Sequence, residues 1–156
     1  MSLMKKIWIL CLMLLLIQNC GYKPIYSKNQ KINFYIESIN FSDPNNNIAD
    51  YIKSNLNNYI NKKDGNKYII NTNIQYNKRA LSKNIAGEIE KYDLSLNVSF
   101  EIKSKTLDKK LDFQENFIMD NLGDELEERR YEENVKRNMA LSITSQLLIF
   151  LSRNDN

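Results

Sequence analysis

The sequence predicts an α+β fold, a two-layer sandwich in which a four-stranded, mostly antiparallel sheet carries two helices on one face. Two observations lead to this class. Apolar residues recur at every second position in four stretches and at about every fourth position in two others. These stretches follow the order β-α-β-β-β-α, and consecutive strands with short connections pair as antiparallel neighbours.

The first strand and the first helix occupy the beginning of the domain. Residues 31–42 alternate as a strand, and the apolar phase shifts between Ile36 and Ile39, which predicts a β-bulge. Apolar residues then recur every four positions over residues 48–60, which predicts a helix with one apolar face. Gly65 follows, and glycine is suited to the left-handed conformation that ends many helices.

Three further strands come next. Alternation returns over residues 68–77, is most regular over 92–102 and is weaker over 111–119, where Glu115 interrupts the apolar positions. Residues 82–90 are predicted to be the loop between the first two of these strands. One face of the strands is apolar, whereas the other is rich in Asn, Ser, Thr and Gln and is predicted to meet solvent or a polar partner.

The last helix is predicted from Asp124 almost to the end of the chain. Its apolar stripe runs at spacing four from Tyr131 to Leu147 and continues at Phe150. Four acidic residues crowd the first turns, where the helix dipole stabilises negative charge. Two amphipathic helices are enough to cover one face of a four-stranded sheet.

The composition bounds the function. The chain has 156 residues and a net charge of +3, which falls to +1 without Lys5 and Lys6, so its charge does not indicate nucleic-acid binding. Histidine is absent, which excludes Ser-His and Cys-His catalysis. Cys11 lies in an apolar run, so its pairing with Cys20 in a disulfide framework is not expected. We expect no enzyme activity, no bound metal and no dissociable cofactor.

Residues 1–19 have the three-part form of a secretory leader. Two lysines precede eleven uninterrupted apolar residues, 7–17, whereas a membrane-spanning helix needs about 20. The segment is therefore interpreted as a signal peptide. The alternatives are a buried core helix or an uncleaved anchor.

The stretch "LLLIQNCGYKPIY" predicts a lipid-anchored protein. It resembles the lipobox of bacterial lipoproteins, in which an aliphatic residue, here Ile17, stands three positions before the cysteine. Asn19 occupies a position where a small residue is usual. The resemblance implies lipidation of Cys20, cleavage before it, and a lipidated tether over residues 20–30. Gly21 follows in place of the aspartate of inner-membrane retention signals, which implies the outer membrane.

The chain as a whole resembles the LPS-assembly lipoprotein family LptE, particularly its short members. The resemblance rests on "NCGYKPIY", on "YNKRALSKNIAGEIEKYDLSLNVSFEI", on "RRYEENVKRNMALSITSQLLIFL" and on the order of the elements. It implies a single LptE-like domain over residues 31–153, on the periplasmic face of the outer membrane. It also implies two partners, an LptD-type β-barrel that the protein plugs and the lipopolysaccharide that the barrel inserts into the outer leaflet.

The resemblance also implies basic residues that bind the phosphates of lipopolysaccharide, because Lys and Arg make charge-assisted hydrogen bonds to phosphate. Lys83 matches a basic position in the loop before the third strand, and two further basic residues share that edge. At a second basic position, near the entry to the last helix, this chain has Glu127, which two arginines follow. The predicted lipopolysaccharide-binding residues are Lys78, Arg79, Lys83, Arg129 and Arg130.

Two other functions are compatible with parts of this pattern. A generic periplasm-facing envelope lipoprotein that binds another polymer or protein would share the anchor and the fold. In that case the basic residues would be ordinary solvated charges. An envelope hydrolase would need a catalytic constellation, whereas the carboxylates here occupy a polar strand face and a helix start.

Overall fold

A computed structural model of the chain describes residues 33–60 and 65–154. The predicted signal peptide 1–19, the lipidation site Cys20 and the tether 20–30 lie outside the described residues. The elements confirm the predicted α+β class and the order β-α-β-β-β-α. They are β1 (Phe34–Phe41), α1 (Asn47–Leu56), a 3₁₀ turn (Asn57–Tyr59), β2 (Asn66–Lys83), β3 (Ile89–Lys103), β4 (Asp108–Asp120) and α2 (Glu125–Arg153).

The four strands form one sheet in the order β1-β2-β3-β4. The β2-β3 and β3-β4 pairs are antiparallel, whereas β1 is parallel to β2, so the sheet is mixed and mostly antiparallel as predicted. Parallel neighbours need a crossover connection, and α1 lies within it. The register of β1 against β2 shifts between Ile36 and Ser38, which confirms the predicted bulge.

The core lies between the apolar face of the sheet and the two helices. The even-numbered positions of β3 from Leu94 to Ile102 are almost completely buried, as its alternation predicts, whereas Tyr92 is only partly buried. Tyr131, the first residue of the predicted helix stripe, is instead 38% exposed and packs edge-on against Phe117 at the rim of the core. The helix residues that the core buries are Ile48, Ala49, Ile52 and Leu56 of α1 and Val135, Met139, Ala140, Ile143, Thr144, Leu147 and Leu151 of α2.

The first helix is shorter than predicted, and Gly65 does not end it. The α-helical part stops at Leu56, and two asparagines, which are poor helix formers, begin the 3₁₀ turn. Ile60 has extended backbone and bridges to Ile36 of β1, so it contacts the core from a strand-like position. Gly65, with φ +105°, directly precedes β2.

The β2-β3 hairpin is longer than predicted. β2 extends to Lys83 and β3 begins at Ile89, so the predicted loop 82–90 shrinks to a turn over residues 84–88. Asn84 organises this turn, because its backbone oxygen accepts from the N–H of Gly87 and its side chain accepts from the N–H of Glu88. The far part of β2 is exposed, so its pairing carries no apolar alternation that could reveal it in the sequence.

Glu115 explains the irregular alternation of β4. Its carboxylate points toward α2, where it accepts hydrogen bonds from the Ser142 hydroxyl at 2.6 Å and the Gln146 amide at 2.9 Å. A charged residue can occupy this half-buried, inward position because the helix supplies donors for it. The helix itself begins at the Asp124 side chain, which caps the N–H groups of Leu126 and Glu127.

Candidate interaction surfaces

The second face of the sheet is an open polar surface, as the alternation predicts. In the described part of the chain no helix covers it, and the strand positions that point to it carry mainly amides and hydroxyls. Amide groups offer both donors and acceptors, so this surface can bind a polar partner without a fixed charge pattern. We call it the open face; its central residues are Asn71, Asn73, Gln75 and Asn77 of β2, Ser95, Asn97 and Ser99 of β3, and Asp112, Gln114 and Asn116 of β4.

On the opposite, helix-covered face, β2 is tied to α2 by a charged network. The Lys78 ammonium lies 2.7 Å from a carboxylate oxygen of Glu128 and 2.9 Å from one of Glu132. Glu132 also accepts from the Tyr76 hydroxyl at 2.9 Å and from the Lys136 ammonium at 2.8 Å. The two lysines further contact aromatic faces, Lys78 that of Tyr92 and Lys136 that of Tyr76. We call these residues the Glu132 network.

The network shifts the pKa values of its members. Burial alone raises the pKa of the Glu132 carboxyl, but hydrogen bonds from Lys136, Lys78 and Tyr76 outweigh it and lower the pKa to about 2. Burial and the hydrogen bond to Glu132 raise the pKa of Tyr76 well above its ordinary value. Burial lowers the pKa of Lys78, but its two carboxylate partners reverse the effect, so the net shift is upward. Glu132 is therefore ionised at neutral pH and holds two lysines and a tyrosine.

The predicted lipopolysaccharide-binding residues of β2 do not converge on one face. Neighbouring residues of a strand point to opposite faces, so Lys78 faces α2 whereas Arg79 belongs to the open face, where it pairs with Asp93 at 2.7 Å. Arg79 is nevertheless 77% exposed. Lys83 is exposed at the end of β2, and its side chain makes no ion pair or hydrogen bond with the described residues.

The two predicted arginines of α2 lie at the same end of the domain as the β2-β3 hairpin. The ion pair between Lys78 and Glu128 brings the start of α2 beside the far part of β2. Arg129 lies 3.8 Å from Glu125, one turn earlier in the helix, and Arg130 has no ion pair to the described residues. Lys78, Arg79 and Arg129 thus each form an ion pair with a carboxylate. The exposed side chains of Lys83 and Arg130 have no carboxylate partner among the described residues.

The sequence did not identify Glu132 and its partners as a unit. A signal exists, because Glu128, Glu132 and Lys136 recur every four residues and therefore share one face of a helix. This spacing is also typical of any solvated helix surface. Lys78 and Tyr76 come to lie opposite the two glutamates only because of the way α2 packs on β2, which the sequence does not show.

Two surface cavities accompany these features. A cavity of about 590 Å³ lies beside residues 74–77 of β2 and the start of α1. A second cavity, of about 400 Å³, lies between β4 and α2 and is lined by Phe117, Tyr131 and Met139 among others. Within the described residues, no cluster of His, Cys, Asp or Glu could hold a metal ion. The described helices also include none with the length and hydrophobicity needed to cross a membrane.

The described residues form a small two-layer α+β domain with one open polar sheet face. No family model matches the chain, and neither does any curated protein. Solved structures do match. One is the crystal structure of rare lipoprotein B from Shewanella oneidensis, at a TM-score of 0.57 and 17% identity, which covers 76% of this chain and 95% of that one.

Two further solved structures share the fold. One is a lipoprotein B from Nitrosomonas europaea, at a TM-score of 0.54 and 17% identity, covering 74% of this chain and 80% of that one. The other is a minor lipoprotein from Acinetobacter baumannii, at 0.53 and 16% identity, covering 78% and 92%. The chain therefore has the fold of the LptE-like lipoproteins, and the resemblance seen in the sequence is confirmed at the level of the fold.

Proposed function

We propose that this protein is an outer-membrane lipoprotein, anchored through Cys20, which plugs an LptD-type β-barrel and assists it in assembling lipopolysaccharide in the outer leaflet. The open face is the observation that carries the proposal. The lumen of a large outer-membrane barrel is polar, so a plug must meet it with groups that replace hydrogen bonds to water. A sheet face of amides and hydroxyls meets this requirement, whereas an apolar face does not.

The fold supports the same function. Three proteins described as lipoproteins share it over most of their length, and this chain has a lipobox-like segment before its domain. The Glu132 network and the buried core give the domain a rigid frame on which the open face is presented. The role requires positioning and binding, and no bond is made or broken, so the protein acts as an assembly factor without catalysis.

Gentle detergent extraction of the full-length protein tests the partner. We expect a large β-barrel to co-purify with it from the outer membrane in a stable complex. Variants in which Asn97 and Gln114, at the centre of the open face, are changed to lysine should lose the barrel and keep their circular dichroism spectrum. A monodisperse lipoprotein that brings down no barrel contradicts the proposal and favours a generic envelope lipoprotein.

Mass spectrometry of the membrane-extracted protein tests the anchor. We expect a mature chain that begins at Cys20 and carries three acyl chains, because a single chain gives only marginal membrane binding. Cys20→Ala should yield an uncleaved or unanchored product. An unmodified Cys20 in the mature protein refutes the lipidation.

Lipopolysaccharide binding should depend on the unpaired cations. We expect the Lys83→Ala/Arg130→Ala double variant to bind lipopolysaccharide about thirtyfold more weakly, since two charge-assisted contacts to phosphate at exposed sites together contribute about 2 kcal/mol. Addition of Arg79→Ala and Arg129→Ala should weaken binding further. Lys78 is left intact in this series because its loss removes the lysine partner of Glu128 and one of the two lysine partners of Glu132.

A matched control distinguishes loss of a specific binding site from loss of net positive charge. Lys105→Ala/Lys110→Ala removes the same charge near the β3-β4 turn, at the other end of the sheet. Binding measured by surface plasmon resonance against immobilised lipopolysaccharide should be reduced only in the first double variant. Equal losses in both would show that net charge matters and that the predicted residues form no site.

A further inference from the structure

The turn between β3 and β4 carries a cluster of cations. Residues 103–110 contain four lysines and a single acidic residue, Asp108. All four lysines are exposed, and none of them forms an ion pair with a carboxylate in the described part of the chain. We call this cluster the basic end; its residues are Lys103, Lys105, Lys109 and Lys110.

The lysines of the basic end lie on both faces of the sheet. Neighbouring residues of a strand point to opposite faces, and the buried positions of β3 are even-numbered, so Lys103 points to the open face. Lys110 lies on that same face of the adjoining strand. Lys109 points to the helix-covered face, where its ammonium lies 5.4 Å from the ring centroid of Phe150, near the end of α2. The cations therefore border the tip of the sheet rather than one of its faces.

The carboxylates near this turn do not neutralise the lysines. Asp108 forms no ion pair with any described residue, although it stands opposite Lys103 in the register. Glu101 and Asp112 stand farther from the turn, and the Asp112 carboxylate accepts a hydrogen bond from a serine hydroxyl, not from a lysine. The positive charge of the basic end is therefore available to an external anion.

The segment that follows Cys20 enters the domain at this same end. β1 starts at Phe34, which pairs with Asn66, and Lys103 pairs with Ile69, only three positions farther along β2. Residues 20–32 themselves contain three lysines and no acidic residue. The basic end and the connection to the predicted anchor are thus neighbours.

The length of the connection limits which end of the domain can face the bilayer. Asn33 follows Cys20 by thirteen positions, which span at most about 45 Å when fully extended. From the start of β1, the strand β2 runs for 18 residues, or about 55 Å, to the β2-β3 hairpin. If the hairpin tip rested on the bilayer with the sheet upright, Asn33 would lie beyond the reach of a lipid on Cys20.

The distribution of charge favours the same orientation. Residues 120–133, at the hairpin end of the domain, contain seven carboxylates and two arginines. An anionic bilayer surface attracts lysines close to it and repels carboxylates. Such a surface therefore attracts the basic end and repels the opposite end of the domain.

We propose that the basic end binds the headgroups of anionic phospholipids in the bilayer that holds the anchor. Lysine ammonium groups bind phosphate as point charges, so the contact needs no fixed headgroup geometry. The acyl chains supply the affinity, and the basic end orients the domain with the β2-β3 hairpin away from the bilayer. The proposal rests on the proposed anchor at Cys20, but it requires neither the barrel nor lipopolysaccharide.

Lysine footprinting of the reconstituted lipoprotein tests the proposal. The full-length product purified from membranes is inserted into vesicles of phosphatidylcholine alone or of two parts phosphatidylcholine and one part phosphatidylglycerol. Acetylation of each lysine by an uncharged reagent is then followed by mass spectrometry. We expect acetylation of Lys103, Lys105 and Lys110 to be about fivefold slower on the anionic vesicles, because the surface attracts each nearby lysine by about 1 kcal/mol. Lys83, at the hairpin, should react equally on both.

Salt and two double variants provide the controls. Salt at about 1 M, where the Debye length is about 3 Å, should remove the difference between the vesicles. Lys105→Ala/Lys110→Ala should remove the protection of Lys103, whereas Lys83→Ala/Arg130→Ala, which deletes the same charge at the hairpin end, should leave it unchanged.

The outcomes separate this proposal from the anchor. Equal acetylation of the basic end on both vesicles, equal slowing at Lys83, or loss of protection in both double variants would each overturn the proposal and leave the anchor in place. Failure of the protein to float with the neutral vesicles would refute the anchor, and the proposal with it.

Discussion

Gly65→Ala is expected to lower the free energy of unfolding by about 3 kcal/mol or more. The backbone of Gly65 has φ +105°, which side-chain-bearing residues rarely adopt, at a cost of about 1 to 3 kcal/mol. A β-carbon there would also lie 1.5 Å from the carbonyl oxygen of Asn33, which is a backbone atom and cannot rotate away. The same oxygen accepts from the Asn66 N–H at 2.6 Å, so relief of the clash breaks the start of the β1-β2 pairing.

Gly87→Ala is the matched control. Gly87 also has a positive φ, +84°, but a β-carbon there meets no atom within 4 Å. We expect this variant to lose only about 1 kcal/mol, from backbone strain alone. Urea denaturation followed by circular dichroism measures both. Losses of equal size would show that the contact with Asn33 does not decide the stability of the junction.

Glu132→Ala is expected to cost about 2 kcal/mol of stability. The Glu132 side chain is 13% exposed and holds Tyr76, Lys78 and Lys136, so its removal leaves half-buried donors without their acceptor. Glu132→Gln keeps an acceptor of similar shape and should lose about half as much. Glu125→Ala removes a carboxylate from the exposed first turn of the same helix and should change stability by less than about 0.5 kcal/mol.

The pH dependence gives an independent measurement of the Glu132 network. The pKa of Glu132 is about 2 in the folded chain against an ordinary 4.5, so the folded state favours the ionised form. Its contribution to stability is complete above about pH 4.5 and disappears as the pH falls toward 2. Glu132→Gln should therefore lose less stability than the unaltered chain over this interval. Parallel curves for the two proteins would contradict the assignment.

Periodicity was sufficient to predict the elements that are buried on one side. The alternation in β3 and the bulge at Ile36 follow from which residues the core requires, so both are visible in the sequence. The end of α1 could not be predicted from the sequence. Ile60 stands four positions after Leu56, as a helix stripe requires, although it contacts the core from extended backbone. The full length of β2 could not be predicted either, because its far half pairs with β3 through backbone hydrogen bonds and buries no apolar side chains that would show a pattern in the sequence.

The site residues show the same limit. Basic residues at the hairpin and at the start of α2 could be named from the sequence as candidates for phosphate binding. Their ion pairs could not be predicted from the sequence, because the proximity of Lys78 to Glu128 and Glu132 depends on how β2 and the distant helix α2 pack together. Lys78 therefore has a structural role that the sequence did not reveal, while its part in lipopolysaccharide binding stays a prediction.

The parallel pairing of β1 has a consequence for the order of folding. β2, β3 and β4 meet across two short turns, after Lys83 and after Lys103, so their contacts are local in the chain and form quickly. Phe34 of β1 instead pairs with Asn66 of β2, about thirty residues later in the chain, and this pairing requires α1 to cross over the sheet. We therefore expect β1 and α1 to join a preformed meander last. The strand and helix that follow Cys20 in the sequence are then the last to join the sheet and the first to separate from it on unfolding.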